Sequence, residues 1–198
     1  MANISEVTDG VWTGGDLPLH LGSAAMLADL EDIRAAGITH IIDNRVECSD
    51  ERLVRAAAPE LTYVWNGQDD AGQAMPDRWF DTGVSAALGA LAEPGTKVLA
   101  HCHMGINRGP TMAFAILLAT GMAPVRALSA NRAARPIAAI SYSFDALDWW
   151  HRVSGTRRSV AQREQGALAR WHERHPLDVV RIVRSVRRAE ARGLPLGA

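Results

Sequence analysis

The chain has 198 residues, 47% hydrophobic and 22% charged, which is enough to bury the core of one compact domain. No stretch approaches the roughly 18 consecutive apolar residues that a membrane-spanning helix needs. The start of the chain has acidic residues where a secretory signal would be basic and then apolar. We therefore expect a cytoplasmic protein. Its two cysteines, Cys48 and Cys102, are too few for a disulfide framework, so each is either a buried apolar residue or a reactive group.

Charge is distributed unevenly along the chain. Residues 1–150 carry 10 Lys/Arg against 18 Asp/Glu, whereas residues 151–198 carry 11 Arg against 4 Asp/Glu. A basic tail of this kind can bind nucleic acid or a membrane surface, but we favour a helical tail that lies on the acidic body. We predict a domain at 1–153 and a basic helical extension at 154–198, packed on or beside it.

Strand and helix patterns alternate in the first half of the chain. The β-branched, mostly apolar run at 38–43 is typical of a strand buried on both faces of a parallel sheet. Apolar residues from Met26 to Ile33 recur at helical spacing, with Ser23 as a candidate N-cap and Gly37 as a stop. The patterns predict, in order, a strand at 11–13, a helix ending at Gly37, a strand at 38–43, a helix at 50–58, a strand at 61–65 and a helix opened by Met75 and Pro76.

The second half continues the pattern and then becomes helical. It predicts a strand at 97–101, a loop, and helices at 110–119, near 124–134 and at 142–153. Two further helices are expected in the tail, one with Ser159 in a capping box and one with an apolar stripe that begins at Val179. The alternation indicates an α/β domain.

The loop between the strand at 97–101 and the next helix favours binding of an anion beside a nucleophile. Amides in such a loop can converge on an anion, and the helix dipole adds positive potential. Gly105 permits the backbone angles that turn N–H groups inward. Arg108 can bind two phosphate oxygens with its planar guanidinium. We expect Cys102 to react as a thiolate, since helix N-termini and nearby cations favour thiol ionisation.

The run His101-Cys102-x-x-Gly105-x-x-Arg108 resembles the signature of the cysteine-based protein tyrosine phosphatase superfamily, and the short loops resemble its dual-specificity branch. The resemblance covers residues from about 7 to 151 and excludes the tail. It implies a central, mostly parallel sheet of four to five strands flanked by helices, with a helical extension here. It also implies hydrolysis of phosphate monoesters through a cysteinyl-phosphate, with Cys102 as nucleophile.

The resemblance implies roles for other residues. Arg108 would bind the phosphoryl group, and an aspartate about thirty residues upstream of the cysteine would protonate the leaving group and then activate water. We favour Asp70 for this role, with Asp69 second. His101 is expected to orient the loop from behind, and Gly109 and Thr111 to support it. The cradle for the substrate would be formed by His103, Met104, Gly105, Ile106, Asn107 and Arg108.

One position departs from the family pattern. A Ser or Thr usually follows the arginine and stabilises the departing thiolate, but this chain has Gly109 there. We therefore expect slower breakdown of the phosphoenzyme, with Thr111 at best a poor substitute. The departure also leaves open a binding module that captures phosphorylated partners without turnover.

Partners follow from the same resemblance. We expect a phosphorylated protein or peptide substrate, with phosphotyrosine first and phosphoserine or phosphothreonine as further candidates, and we expect phosphate, sulfate or vanadate to bind the loop. An RNA 5′ end, a nucleotide or a phosphoinositide is the alternative substrate, although nucleic acid is not favoured.

No cofactor is expected. His101, Cys102 and His103 could instead bind zinc, but no second Cys/His cluster accompanies them. Cys48 is expected in the core, with a resolving role towards Cys102 as the alternative.

Overall fold

The computed structural model describes residues 2–18 and 21–194, which form one α/β arrangement. Its strands are β1 (Ile4–Thr8), β2 (Val11–Gly14), β3 (His40–Arg45), β4 (Thr62–Gln68) and β5 (Val98–His101). Its helices are α1 (Ser23–Ala35), α2 (Glu51–Ala57), α3 (Asp77–Leu91), α4 (Arg108–Ala119), α5 (Pro124–Ala134), α6 (Ser143–Val153), α7 (Arg158–Arg174) and α8 (Val179–Ala191).

The five strands form one sheet in the order β1-β2-β5-β3-β4. β1 is antiparallel to β2, and the other neighbouring pairs are parallel. The predicted α/β class with a mostly parallel sheet is confirmed. His101 at the end of β5 is in register with Gly14 of β2 and Asp43 of β3. The residues that follow these three strands therefore meet at one edge of the sheet, where α/β proteins commonly bind ligands.

The sheet is covered by helices on both faces. A larger apolar cluster includes Phe80 of α3, Phe114 of α4 and Trp149 of α6. A smaller cluster lies on the other face, where Leu30 of α1 and Val54 of α2 are buried. Residues 108–118 of α4 are all buried, since this helix packs between the sheet and α3, α5 and α6. The start of α4, which follows the Cys102 loop, is therefore held rigidly.

Several element ends differ from the sequence prediction. α4 begins at Arg108 rather than Pro110, so the arginine lies in the first helical turn. Gly22, with φ 86°, occupies the N-cap of α1, and Ser23 is the first helical residue. Ser159 lies inside α7, whose N-cap is Arg157. Each helix end therefore lies one or two residues from its predicted position. Capping preferences alone do not fix a helix end more closely than this.

The two tail helices differ in how they pack. In α7, Leu168 and Trp171 are buried in the larger cluster, and Trp171 Nε1 donates to Ser129 Oγ at 2.9 Å. α8 has no buried residue. The boundary at 153 stays a prediction, but α7 shares the core of the preceding helices. Within residues 2–18 and 21–194, no helix combines the length and the apolar character that crossing a membrane requires.

Candidate active site

Cys102 lies directly after β5, at the sheet edge where β2 and β3 also end. It is 3% exposed, and its backbone N–H donates to Gly14 O at 3.2 Å. Together with Asp70, Arg108 and residues of α8, it lines a cavity of about 510 Å³. The nucleophile predicted from the sequence is therefore at the bottom of a cavity and not in the closed core.

The carbonyl groups of the loop are turned away from this cavity. Arg135 donates to Gly105 O at 2.6 Å and Met104 O at 3.1 Å, and the amide of Asp16 donates to His103 O at 2.9 Å. Ile106 O accepts from Ala139 N at 2.7 Å. In a planar trans peptide the N–H points opposite to the C=O, so the amides of residues 104–107 point inward. Among the described residues, the amides of 103–107 have no acceptor. The loop thus presents unpaired donors to a ligand.

Gly105 cannot be replaced in this loop without strain. Its φ is +65°, which L side chains rarely adopt. A Cβ there would lie 2.5 Å from Arg135 Nη2 and 2.6 Å from the carbonyl carbon of Gly14. The glycine of the sequence signature therefore permits both the inward turn and the close approach of Arg135.

Within the described part of the chain, the Arg108 guanidinium has one edge that is hydrogen-bonded to other residues and one edge that is not. Its Nη1 and Nη2 donate to the two oxygens of Glu47 at 2.8 and 2.7 Å, and Nη1 also donates to Gln68 O at 2.8 Å. Nε is buried and has no hydrogen-bond partner among the residues described. Nε–H and the second Nη2–H lie on one edge of the guanidinium, the geometry that binds two oxygens of a phosphate. Glu47 therefore holds Arg108 and leaves that edge without a hydrogen bond to any described residue, with Asp70 Oδ2 3.6 Å from Nε.

The ion pair between Arg108 and Glu47 also shifts their proton affinities. The hydrogen bonds from Arg108 lower the pKa of Glu47 to about 2. Burial alone would lower the pKa of Arg108, but Glu47 and Cys102 raise it above its ordinary value. Both groups are therefore charged at neutral pH.

Asp70 lies against the loop, whereas Asp69 does not contact it. Oδ1 of Asp70 accepts from Asn107 Nδ2 and from Tyr142 Oη, both at 2.7 Å, while Oδ2 lies 3.6 Å from Arg108 Nε. Burial and Asp70 raise the pKa of Tyr142 to about 12, so its hydroxyl stays a donor. Oδ1 is thereby fixed, whereas Oδ2 makes no hydrogen bond within the described residues. Within the described residues, the Asp69 carboxylate accepts from the amide of Asp70 and from no other group, and its backbone carbonyl accepts from Gln73 Nε2 at 2.7 Å.

A buried ionic cluster lies behind the loop. Arg45 donates to Asp43, Asp50 and Asp16 at 2.5 to 3.3 Å, and Asp43 also accepts from Tyr63. His101 is buried, with Nε2 3.7 Å from Asp43, and burial lowers its pKa. Its Nδ1 has no partner among the described residues, and His101 O accepts from Asn44 at 3.0 Å. Asp43, Asp50 and His101 are close enough to hold a metal ion, but both carboxylates are already paired with Arg45.

The two remaining predicted loop residues contribute differently. A Cβ on Gly109 would lie 2.9 Å from Ala100 O and 3.0 Å from His101 Cα, so α4 approaches β5 too closely for a side chain. The Thr111 hydroxyl is buried and makes no hydrogen bond within the described chain, with Cys102 or any other residue. The structure therefore gives a packing reason for Gly109 and places no hydroxyl in contact with the sulfur.

His103 connects the loop to α8. Its Nδ1 is 2.7 Å from Asp16 Oδ2, and its Nε2 is 3.4 Å from Glu190 Oε1. The hydrogen bond with Asp16 raises the pKa of His103. Through this contact, and through Val179 and Val183 beside the cavity, the tail helix forms one wall of the site.

Three contributors were not identified from the sequence: Glu47, Arg135 and Tyr142. Glu47 follows β3, and the carboxyl ends of parallel strands meet at one edge, so its position could have been inferred. Arg135 and Tyr142 follow α5 and precede α6, where nothing in the local pattern marks them. Cys48 is half-buried and burial raises the pKa of its thiol; it does not line the cavity.

Sequence comparison finds dual specificity phosphatases among the relatives of this chain. No protein-family model matches the chain. It is 29% identical over 113 residues to dual specificity protein phosphatase 26 of Mus musculus, covering 56% of this chain and 50% of the relative. It is 31% identical over 102 residues to dual specificity protein phosphatase 5 of Homo sapiens, covering 52% of this chain and 25% of the relative. The chain therefore spans half or less of the length of these curated relatives.

Solved structures share the fold. PTPMT1 in complex with PI(5)P superposes with a TM-score of 0.60 at 16% identity, covering 77% of this chain and 97% of that one. DUSP15 superposes with a TM-score of 0.58 at 19% identity, covering 82% and 95%. The fold is therefore shared with these phosphatase structures. The curated relatives named above are dual specificity phosphatases, so this chain resembles the dual-specificity branch of the cysteine-based protein tyrosine phosphatases.

Proposed function

We propose that this chain is a phosphatase that hydrolyses phosphate monoesters through Cys102. One observation carries the proposal: the unpaired loop amides and the free Nε/Nη2 edge of Arg108 surround the same cavity as the Cys102 sulfur. A tetrahedral dianion needs several convergent donors and at least one cation, and this arrangement supplies both. The curated relatives, which are dual specificity phosphatases, support the same activity.

In the first step, the Cys102 thiolate attacks phosphorus and forms a sulfur–phosphorus bond as the ester oxygen–phosphorus bond breaks. Protonated Asp70 gives its proton to the departing oxygen, so that an alcohol or phenol leaves rather than an anion. The loop amides and Arg108 stabilise the charge on the phosphoryl oxygens during the transfer.

In the second step, water attacks phosphorus and the Asp70 carboxylate accepts its proton. The sulfur–phosphorus bond breaks, and inorganic phosphate and the thiolate are released. Tyr142 and Asn107 hold Oδ1 of Asp70 in both steps, so the same oxygen, Oδ2, donates and then accepts the proton.

We propose phosphotyrosine in proteins or peptides as the substrate, with phosphoserine and phosphothreonine as further candidates. A non-protein monoester is the second candidate, and one observation favours it: α8 closes one side of the cavity with Val179 and Val183. A panel that compares phosphotyrosine and phosphoserine peptides, an inositol phosphate and a 5′-phosphorylated RNA separates these classes. Turnover of only the latter two would remove the protein-phosphatase assignment.

The activity itself is tested by release of inorganic phosphate from phenyl phosphate. Cys102→Ser should abolish it, because a serine hydroxyl does not ionise at neutral pH. Asp70→Asn should reduce kcat about a hundred-fold, the usual scale for loss of a general acid. Asp69→Asn is the matched control and should stay within about two-fold of the unchanged protein. Equal losses in both variants would remove Asp70 from its proposed role.

A module that binds without turnover makes different predictions. It would retain vanadate or phosphate with micromolar affinity while releasing no phosphate from any monoester, and Cys102→Ser would leave the affinity nearly unchanged. Hydrolysis of phenyl phosphate that depends on Cys102 excludes that reading.

A further inference from the structure

One face of α8 continues the wall of the Cys102 cavity. Val179, Val183 and Arg187 are four residues apart, so they lie along one side of the helix, and all three line the cavity. The stripe is apolar at its first two positions and cationic at the third. The helix therefore brings a guanidinium to the same cavity as Cys102 and Arg108.

Arg187 has no partner for its charge. Within residues 2–18 and 21–194 it makes no hydrogen bond or ion pair. The exposed Arg184 and Arg188 of α8 are unpaired as well, but Arg187 is the arginine of this helix that lines the cavity. Glu190, one turn further along α8, lies 3.4 Å from His103 instead. The charge of Arg187 is available to a ligand in the cavity.

Several carboxylates line the cavity, so a substrate with a second anionic group requires a second cation there. Glu47, Asp69 and Asp70 all line it, and Glu47 already pairs with Arg108. A phosphate monoester brings further negative charge, and a second anionic group near these three carboxylates would be repelled unless a cation received it. Arg187 is the cation on the α8 wall.

We propose that Arg187 is a specificity-determining residue that binds a second anionic group of the substrate. The substrate class is then a phosphate monoester that carries another phosphate or a carboxylate on the same small carbon skeleton. Guanidinium binds both groups through two parallel hydrogen bonds, and Val179 and Val183 offer an apolar strip for the skeleton between them. The proposal rests on the phosphatase function proposed above, and names the kind of monoester that the site selects.

The experiment compares three aryl phosphates with full-length protein: phenyl phosphate, 4-carboxyphenyl phosphate and 4-(phosphonomethyl)phenyl phosphate. Phosphate release gives kcat and KM for the unchanged protein, Arg187→Ala, Arg187→Lys and Arg184→Ala. Arg184 is an exposed residue of α8 that does not line the cavity, so its variant is the matched control. Comparing 4-carboxyphenyl phosphate with 4-(phosphonomethyl)phenyl phosphate shows whether the second anionic group is bound as a carboxylate or as a phosphate-like group.

For Arg187→Ala, we expect kcat/KM to fall about ten-fold or more on one or both of the doubly anionic compounds, relative to the fall on phenyl phosphate. The loss should appear in KM, because the variant removes charge-assisted hydrogen bonds to the second anionic group and leaves the contacts of the loop with the phosphate. Arg187→Lys should recover part of this preference for doubly anionic compounds. Arg184→Ala should retain the full preference of the unchanged protein. An equal fall on all three compounds, or no difference from Arg184→Ala, overturns the proposal. A rise on all three overturns it as well, because α8 would then act as an inhibitory cover.

Failure of the phosphatase assignment gives a separate result. If no variant releases phosphate from phenyl phosphate, calorimetric binding of the same three compounds to the unchanged protein and to Arg187→Ala still measures the preference. A loss of affinity confined to the doubly anionic compounds would support the role of Arg187 in binding, and equal affinities would remove it.

Discussion

The donors of Arg108 are shared between Glu47 and a free edge, and this division predicts the effect of replacing Glu47. Glu47→Gln keeps the shape but removes one acceptor and the negative charge, so the guanidinium loses its fixed orientation. Charge-assisted hydrogen bonds contribute about 1.5–3 kcal/mol, so we expect kcat/KM for phenyl phosphate to fall by about ten-fold or more. Steady-state phosphate release measures it.

A positioning role also predicts how this loss divides between the kinetic constants. KM and the affinity for vanadate should both weaken, because the free edge of Arg108 binds the phosphoryl oxygens before and during the reaction. Tighter vanadate binding by Glu47→Gln would contradict this, since it would mean that Glu47 competes with the ligand for Arg108. Glu51→Gln, on the surface of α2, is a matched control.

Gly109 supports a prediction about stability rather than chemistry. Because a Cβ at this position would lie 2.9 Å from Ala100 O, Gly109→Ser should lower the free energy of unfolding by about 1–3 kcal/mol, the usual cost of overpacking. Urea denaturation measures this, with Gly109→Ala expected to match. The side chain would also displace the start of α4, and with it Arg108, so the added hydroxyl should not speed breakdown of the cysteinyl-phosphate in rapid-quench experiments. A stable, faster Gly109→Ser protein would show that α4 can move away from β5.

Individual site residues could be predicted where the signal is local. Cys102, Gly105 and Arg108 lie within seven positions, and the strand and helix on either side fix how they return to one point. Arg135 reaches the loop carbonyls from about thirty positions further along, and no local pattern records that contact. Residues that act over such distances become visible only when the helices are packed.

At the scale of elements, the sequence predicted those with strong hydrophobic patterning. The buried strands β3 and β5 and the helices α3 and α5 lie close to their predicted positions. β1 was missed, because an edge strand of five residues with Ser5 and Glu6 at its centre has little apolar periodicity. Its identity as a strand depends on pairing with β2, which is a tertiary interaction.

The packing of α7 predicts what a shorter chain would lose. A protein that ends at Gly155 lacks Leu168 and Trp171, which are 0% and 2% exposed. Burying a large apolar side chain contributes about 1.5–3 kcal/mol, so we expect this truncation to be destabilised by several kcal/mol. Thermal and urea unfolding of the truncated and full chains measure it.

A second truncation separates the two tail helices. A chain that ends at Pro176 keeps α7 and removes α8, which has no buried residue, together with the residues on either side of α8. It should unfold within about 1 kcal/mol of the full protein, because little apolar surface is lost. Equal destabilisation of both truncations would show that α8, and not α7, completes the core.

Across the whole molecule, four histidines give opposing contributions to the pH dependence of stability. Burial lowers the pKa of His40, His101 and His172, so the unfolded chain binds their protons more readily and acid destabilises the fold. His103 has a raised pKa because of Asp16. Its stabilising contribution is fully present below the unfolded value of about 6.5 and is lost as pH rises through the folded value.

Since three histidines oppose one, the free energy of unfolding should fall when the pH is lowered from about 7.5 to about 5.5. His103→Gln removes the only contribution of opposite sign among the four, so its stability should fall more steeply over this range. His40→Gln removes one destabilising contribution and should fall less steeply. Urea denaturation at the two pH values gives both slopes, and a shallower slope for His103→Gln would mean that Asp16 and Glu190 do not hold its proton in the folded protein.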